Sequence, residues 1–198
     1  MAECINLADI DAAVSCVDYD NAGGLMSRVI YGYWDDVATW PTKPAPTAGT
    51  GSTTTPLTLA AAGAWVGDVV MKTGKRAYKM EFTDENGEFT MTDQGEVGGE
   101  SVLYQLDLVR AKINNVIFGF MNATRGRKMF FIVTDKNGVN YLMGDEINAA
   151  KKVAGDAVTT GRAGSDLNKV PLRFTYICPR NLVYEGDTED LLTASSGV

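Results

Sequence analysis

The stretch Arg127–Pro179, RKMFFIVTDKNGVNYLMGDEINAAKKVAGDAVTTGRAGSDLNKVPLRFTYICP, decides how the chain reads. Met129-Phe-Phe-Ile-Val133 is a continuous apolar run, the pattern of a strand covered on both faces. Asp135-Lys-Asn-Gly138 follows, and an Asn-Gly pair supplies the positive φ angles of a tight hairpin into Val139–Met143. Val153–Thr160 reads as a further strand. In Val170–Cys178 strict alternation puts Val170, Leu172, Phe174, Tyr176 and Cys178 on one face, opposite Arg173 and Thr175. Between these two strands, Gly161-Arg-Ala-Gly-Ser-Asp166 has two readings, an anion-holding nest of amides or a tight inter-strand turn, and the turn is preferred. The unit contains strands and polar apices but no nucleophile, base or ligand cluster. That is the pattern of a protein whose surface is its function.

The same period runs upstream. Tyr78, Met80 and Phe82 alternate with Lys79, Glu81 and Thr83, and beyond Asn86-Gly87 Phe89 and Met91 alternate with Thr90 and Thr92. This reads as a second Asn-Gly hairpin with one wet face. Val102, Tyr104, Leu106 and Leu108 follow the Gly98-Gly99 break as another strand, and Leu25–Trp34 is dense in β-branched and aromatic residues. One helix is expected over about 110–124, where Ile113, Val116, Ile117, Phe120 and Met121 make one apolar stripe. The expected fold is mainly β, a sandwich or barrel of mostly antiparallel strands with one flanking α-helix. It occupies a single domain, 1–198, with an N-terminal arm at 1–24, a β core at 77–184 and a C-terminal arm at 185–198. Residues 38–58, rich in Pro, Thr and Gly and including Trp40, Pro44, Pro46 and Pro56, form a long loop able to lie on a neighbouring subunit.

Composition narrows the chemistry. A chain of 198 residues with 45% hydrophobic and 22% charged residues is long enough to bury a core and is not of disordered type. It has no histidine, which removes Ser-His-Asp, Cys-His and most zinc-hydrolase schemes together. Three cysteines are too few for a disulfide framework, so they read as buried thiols, with a Cys4–Cys16 bridge as the alternative. Gly74-Lys75 lacks the rest of a phosphate loop, since Val69 stands where its first glycine belongs and Arg76 where Ser or Thr belongs. The adjacent carboxylates Asp35-Asp36 and Asp145-Glu146 are chance pairs in a chain with 25 acids. No catalytic, cofactor-binding or metal-ligating set emerges. No basic segment leads into an apolar one at the start and no apolar run is of membrane-spanning length, which reads as a soluble, unexported product.

Charge is segregated within a net −7. Glu81, Asp84, Glu85, Glu88, Asp93, Glu96 and Glu100 follow one another without a base, whereas Arg110, Lys112, Arg125, Arg127 and Lys128 follow without an acid. Such blocks are either solvated faces or the complementary surfaces of a head-to-tail assembly, where opposite potentials set register. The acidic balance argues against nucleic-acid binding by the basic block.

With these residues in hand, Arg127–Tyr184 resembles the tail tube proteins of long-tailed bacteriophages. The resemblance lies in the hairpin Phe131–Gly144, the turn Thr160–Asn168 and the closing strand that ends near Tyr176. It implies a β-sandwich or barrel with one flanking helix, forming hexameric rings that stack into a tube within the virion. Loops and arms would bridge subunits and rings, tape measure and tail terminator proteins would be partners, and DNA would pass an acidic lumen unbound. On that reading Glu81, Asp84, Glu85, Glu88 and Asp93 line the lumen or a ring face, and Arg110, Lys112, Arg125, Arg127 and Lys128 contact the next ring. The protein would be made in the host cytoplasm, use no cofactor and meet no membrane. Two other classes share the lack of chemistry. One is a capsid decoration or head-tail connector protein; the other is a carbohydrate-binding module using Trp34, Trp40 and Trp65.

Overall fold

The structure, a computed structural model, describes residues 5–8, 22–48, 54–155, 157–163 and 165–194. Cys4 and Cys16 lie outside these residues, as does most of the expected N-terminal arm. The fold is mainly β, as the alternation implies. Two four-stranded antiparallel sheets carry it. The first, called here the covered sheet, has the order β10 (Asn140–Met143), β9 (Met129–Asp135), β1 (Leu25–Tyr33) and β6 (Tyr78–Glu81). The second, the open sheet, has the order β11 (Lys151–Val153), β12 (Lys169–Cys178), β8 (Ser101–Ala111) and β7 (Gly87–Gln94).

Aromatic rings on the facing sides join the sheets into a sandwich. Phe131 of β9 meets Phe174 of β12 at 4.3 Å between ring centroids, and Phe89 of β7 stacks on Tyr141 of β10 at 5.0 Å. The inward positions of β8 and β12, Tyr104, Leu106, Leu108, Val170, Leu172, Phe174, Tyr176 and Cys178, are all fully buried. Each contributes about 1.5–3 kcal/mol of burial free energy when aliphatic or phenyl. Helix α2 (Asn115–Ala123) closes one end of the sandwich, with Ile117 buried and Phe120 edge-on to both Tyr31 and Phe174. At two corners the chain passes from one sheet to the other, as strands do where sandwiches approach barrels. Phe82 N–H still bonds Ser27 beside β1, whereas Thr83 N–H bonds Val109 of β8. Likewise Ala150 exchanges two hydrogen bonds with Met129 of β9, and the next residues form β11 against β12.

The outer side of the covered sheet is also buried, as the apolar run in β9 requires. Phe130 and Ile132 face it, and Trp40 meets the Phe130 ring edge-on. This third layer consists of irregular segments with short pieces of structure: β2 (Val37–Thr39) paired with β5 (Val70–Met71), and the four-residue helix α1 (Leu59–Ala62). The layer is completed by residues 182–192. Tyr184 N–H bonds Asn140 on β10, Glu189 pairs with Arg28 of β1 at 2.5 Å, and the Leu191 carbonyl accepts from Ala77 beside β6. Residues 185–194, expected as an arm, are therefore a strap across their own sheet.

Four expectations need correction. Residues 78–81 and 87–94 do not form a hairpin with each other, since β6 pairs with β1 and β7 with β8. The Asn86-Gly87 segment is one of the two sheet-to-sheet corners, and it is Glu85, not Gly87, that takes a positive φ of 57°. The helix does not begin at 110: β8 keeps its ladder with β12 as far as the pair Ala111–Lys169, and Asn114 then caps α2 by accepting from Ile117 N–H. The strand expected over Val153–Thr160 is confined to Lys151–Val153, with Thr159 bridging back to Lys169. The β core does not start at 77, because β1 lies in the middle of the covered sheet.

The 38–58 segment is only in part a free excursion. Trp40 packs between Trp34 and Phe130, Pro44 is buried with its carbonyl accepting from Arg180, and Lys43 is ion-paired. Trp40 and Pro44 thus pack against their own chain. Pro46 and Pro56 flank a two-residue ribbon, β3 (Thr47–Ala48) with β4 (Thr54–Thr55), and are half-buried.

Candidate functional site

The hairpin β7–β8 carries most of the acidic block on one free edge. Among the described residues β7 pairs only with β8. Asp84 and Glu85 lie in the corner before β7, Glu88 and Asp93 lie on β7, and Glu96 and Glu100 lie in the turn after it; all are exposed. Glu85 and Glu88 share an open depression of about 610 Å³ with Asp135 and Tyr141. Glu81 stands apart on β6, in a depression with Lys79 and Arg110. The register places Glu88 directly opposite Asp107. Two carboxylates in that position repel, and the ion pair of Asp107 with Arg173 and the hydrogen bond that Asp107 accepts from Gln105 Nε2 offset this.

The expected basic block divides in space. Arg110 ends in β8 and Lys112, with φ 69°, lies in the link to α2, whereas Arg125, Arg127 and Lys128 follow the far end of the helix. Nine helical residues, about 13 Å of rise, separate the two groups. The second group joins a pair that sequence reading passed over, Lys151 and Lys152 on β11, the other free edge of the open sheet. Burial, and the nearby Arg125 after it, draws the Lys152 ammonium below the usual lysine range. Lys128 also lies over the Trp34 ring, 4.6 Å from its centroid. The dipeptide Lys151-Lys152 was visible in the sequence, but nothing there placed it on an edge.

One buried charge organises the same end of the molecule. Asp145 is 2% exposed. Its Oδ2 accepts from Lys43 Nζ at 2.6 Å and Tyr176 Oη at 3.0 Å, and its Oδ1 accepts from the backbone N–H groups of Ile147 and Asn148 at 2.8 and 2.6 Å. Trp34 Nε1–H donates to its carbonyl. Burial opposes the charged form, but Lys43 and the two amides outweigh it and hold the carboxyl below the usual aspartate range. Asp145 thereby ties the base of the 38–58 segment to β12. Burial raises the Tyr176 hydroxyl far above its ordinary value and pushes Tyr104 up to about 12, so both serve as neutral hydrogen-bonding groups.

At Gly161–Asp166 the amides of Arg162 and Ala163 donate to Asp166 Oδ2 at 2.7 and 2.9 Å. The chain's own carboxylate occupies the place an external anion would take, which is the turn reading. Gly161 has φ 78°, and a Cβ there would come within 2.6 Å of Asp166 Cβ. The tryptophans form no exposed row: Trp65 is buried, Trp40 lies between two rings and Lys128 covers Trp34. Cys178 is a buried free thiol. Among the described residues no three His, Cys, Asp or Glu side chains gather as a metal site would need, and no helix is long and apolar enough to cross a membrane. Compared with known proteins, the chain matches no family, no curated protein and no solved structure.

Proposed function

We propose that this protein is a self-assembling structural subunit, the tube protein of a long bacteriophage tail, forming stacked hexameric rings through which DNA passes. One observation carries the reading: the two free edges of the open sheet bear opposite charge, acids along β7 and bases along β11. Charged edges of either sign deter strand-to-strand aggregation. Opposite signs on the two edges do more, because β7 repels β7 and β11 repels β11, while β7 attracts β11. Isologous pairing is disfavoured and head-to-tail contact favoured, and a head-to-tail contact closes into a ring or continues as a filament.

Edge pairing leaves acids in excess, 25 against 18 bases. In a tube those on the inner wall keep the DNA backbone from adhering. Arg110 and Lys112, set apart from the basic edge, are assigned to contact between rings. Tape measure and tail terminator proteins are the expected partners and the virion the expected location. Electron microscopy of the purified protein at high concentration tests the proposal. Hexameric rings or tubes support it, discrete trimers that never stack favour a decoration protein, and a dispersed monomer overturns it.

A further inference from the structure

Two isolated apolar side chains stand out at one end of the open sheet, on its opposite edges. Val97, at the apex of the β7–β8 hairpin, is 97% exposed, and Ile147, just before the corner into β11, is 78% exposed. Their surroundings are opposite. Val97 sits among Asp93, Glu96 and Glu100. Ile147 borders a depression of about 290 Å³ of mixed lining, with Leu103 and Ile177 beside Asn148, Thr175, Lys128 and Lys151. Ile177 is itself 48% exposed. An apolar knob among carboxylates and a depression with two apolar side chains beside two ammonium groups are complementary in sign, with apolar surface on each side.

The ladder fixes where each lies: the knob projects past the last rung of the hairpin, and the socket lies beside the rungs below it. Thr92, Leu103 and Ile177 form one rung across β7, β8 and β12, and Gln94 and Ser101 close the hairpin just beyond it. Lys151 lies opposite Thr175, with Ile147 on the hairpin side of it. The knob caps β7 and β8, and the socket spans β8, β12 and the corner before β11. A hairpin whose ladder runs unbroken to Gln94–Ser101 cannot fold over to fill its own socket without losing those pairs.

We infer that the hairpin apex around Val97 of one subunit docks in the Leu103–Ile147–Ile177 depression of the next, side by side within a ring. This deepens the proposed assembly and rests on it. Because knob and socket are different patches of the surface, the contact is heterologous, and its repetition closes into a ring when the rotation between neighbours allows it. The occupant is a second copy because the matching knob is on the chain itself.

Cysteine cross-linking tests the contact. Val97→Cys and Ile147→Cys are introduced together into the full chain with Cys4 and Cys16 replaced by serine, then treated with oxidant or a short bis-maleimide. The expected result is a ladder of covalent species ending at the hexamer, with no product beyond dimer when the two single-cysteine chains are mixed. In parallel, Val97→Asp should raise the concentration at which rings appear at least about tenfold, the equivalent of one lost valine burial. Lys151→Glu should do likewise, and Lys151→Glu combined with Glu96→Lys and Glu100→Lys should recover part of the loss. Rings or tubes of the unmodified chain without any V97C–I147C adduct would overturn this contact and leave the proposed function standing. No association of the unmodified chain at any concentration would overturn both.

Discussion

The covered sheet and the open sheet each have four antiparallel strands, yet their central strands meet solvent differently. In β9 the residues from Met129 to Val133 are all buried, whereas β12 alternates buried with half-buried residues from Lys169 to Thr175. The first pattern obliges the chain to supply a third layer, and it does so with segments far away in sequence, Trp40, Trp65 and Tyr184 among them. The second leaves a face and two edges available. On the proposed assembly, stability and association are thus divided between the two sheets. Substitutions that remove the third layer should unfold the protein, and substitutions on the open edges should leave it folded and alone.

The largest effect is expected from Phe130→Ala, which empties the contact with Trp40 and should cost about 3–5 kcal/mol in urea unfolding, against about 0.5 kcal/mol for Leu103→Ala on the open side. Equal costs would erase the distinction between the sheets. Asp145→Ala should cost about 3 kcal/mol, near the low end for a broken buried pair because Lys43 remains 26% exposed. Its pH dependence has a definite sign. The folded carboxyl titrates below its unfolded value of about 3.9, so its contribution is complete above that value and is lost as pH falls through the folded one. Thermal melts between pH 6 and pH 2 should therefore fall more steeply for the natural chain than for Asp145→Ala. Gly87→Ala should cost about 1–3 kcal/mol, because a Cβ there runs into the buried Phe82 ring at the sheet-to-sheet corner. The smallest effect on stability belongs to Glu85→Lys with Glu88→Lys, within about 0.5 kcal/mol, since both are exposed and a lysine opposite Asp107 removes a repulsion. That same pair should abolish ring formation by electron microscopy. Normal rings would remove the acidic edge from the assembly.

The sequence made some of this legible and some not, for identifiable reasons. Alternation in Val102–Leu108 and Val170–Cys178 is set by burial of one face, so it could be read without knowing the partner strands. The Asn137-Gly138 turn could be read because its conformation is local, with Gly138 at φ 84°. Asn86-Gly87 misleads because alternating strands on either side look the same whether they pair with each other or with two different sheets. What separates the cases is Phe82, buried where the chain crosses over, and its burial depends on both sheets at once. The start of α2 was obscured in the same way, since Arg110 falls in step with the helical stripe but is held by its rung opposite Val170. Asp145 gave no signal at all among many acids, because Lys43 and Tyr176 reach it from distant parts of the chain. Charge segregation was visible, but the acidic and basic edges were not, because an edge is a property of sheet order.

The strap of residues 182–192 has a consequence in time rather than in space. Translation, at about 5–20 residues per second, delivers it after every strand that it covers. Until it emerges, the outer side of the covered sheet lacks Tyr184 against β10 and Leu191 beside β6. β12, the partner of both β8 and β11, also arrives late. A nascent chain that has not reached these residues therefore holds neither a sealed covered sheet nor a complete pair of charged edges. On the proposed assembly, such half-made chains would be kept out of the polymer.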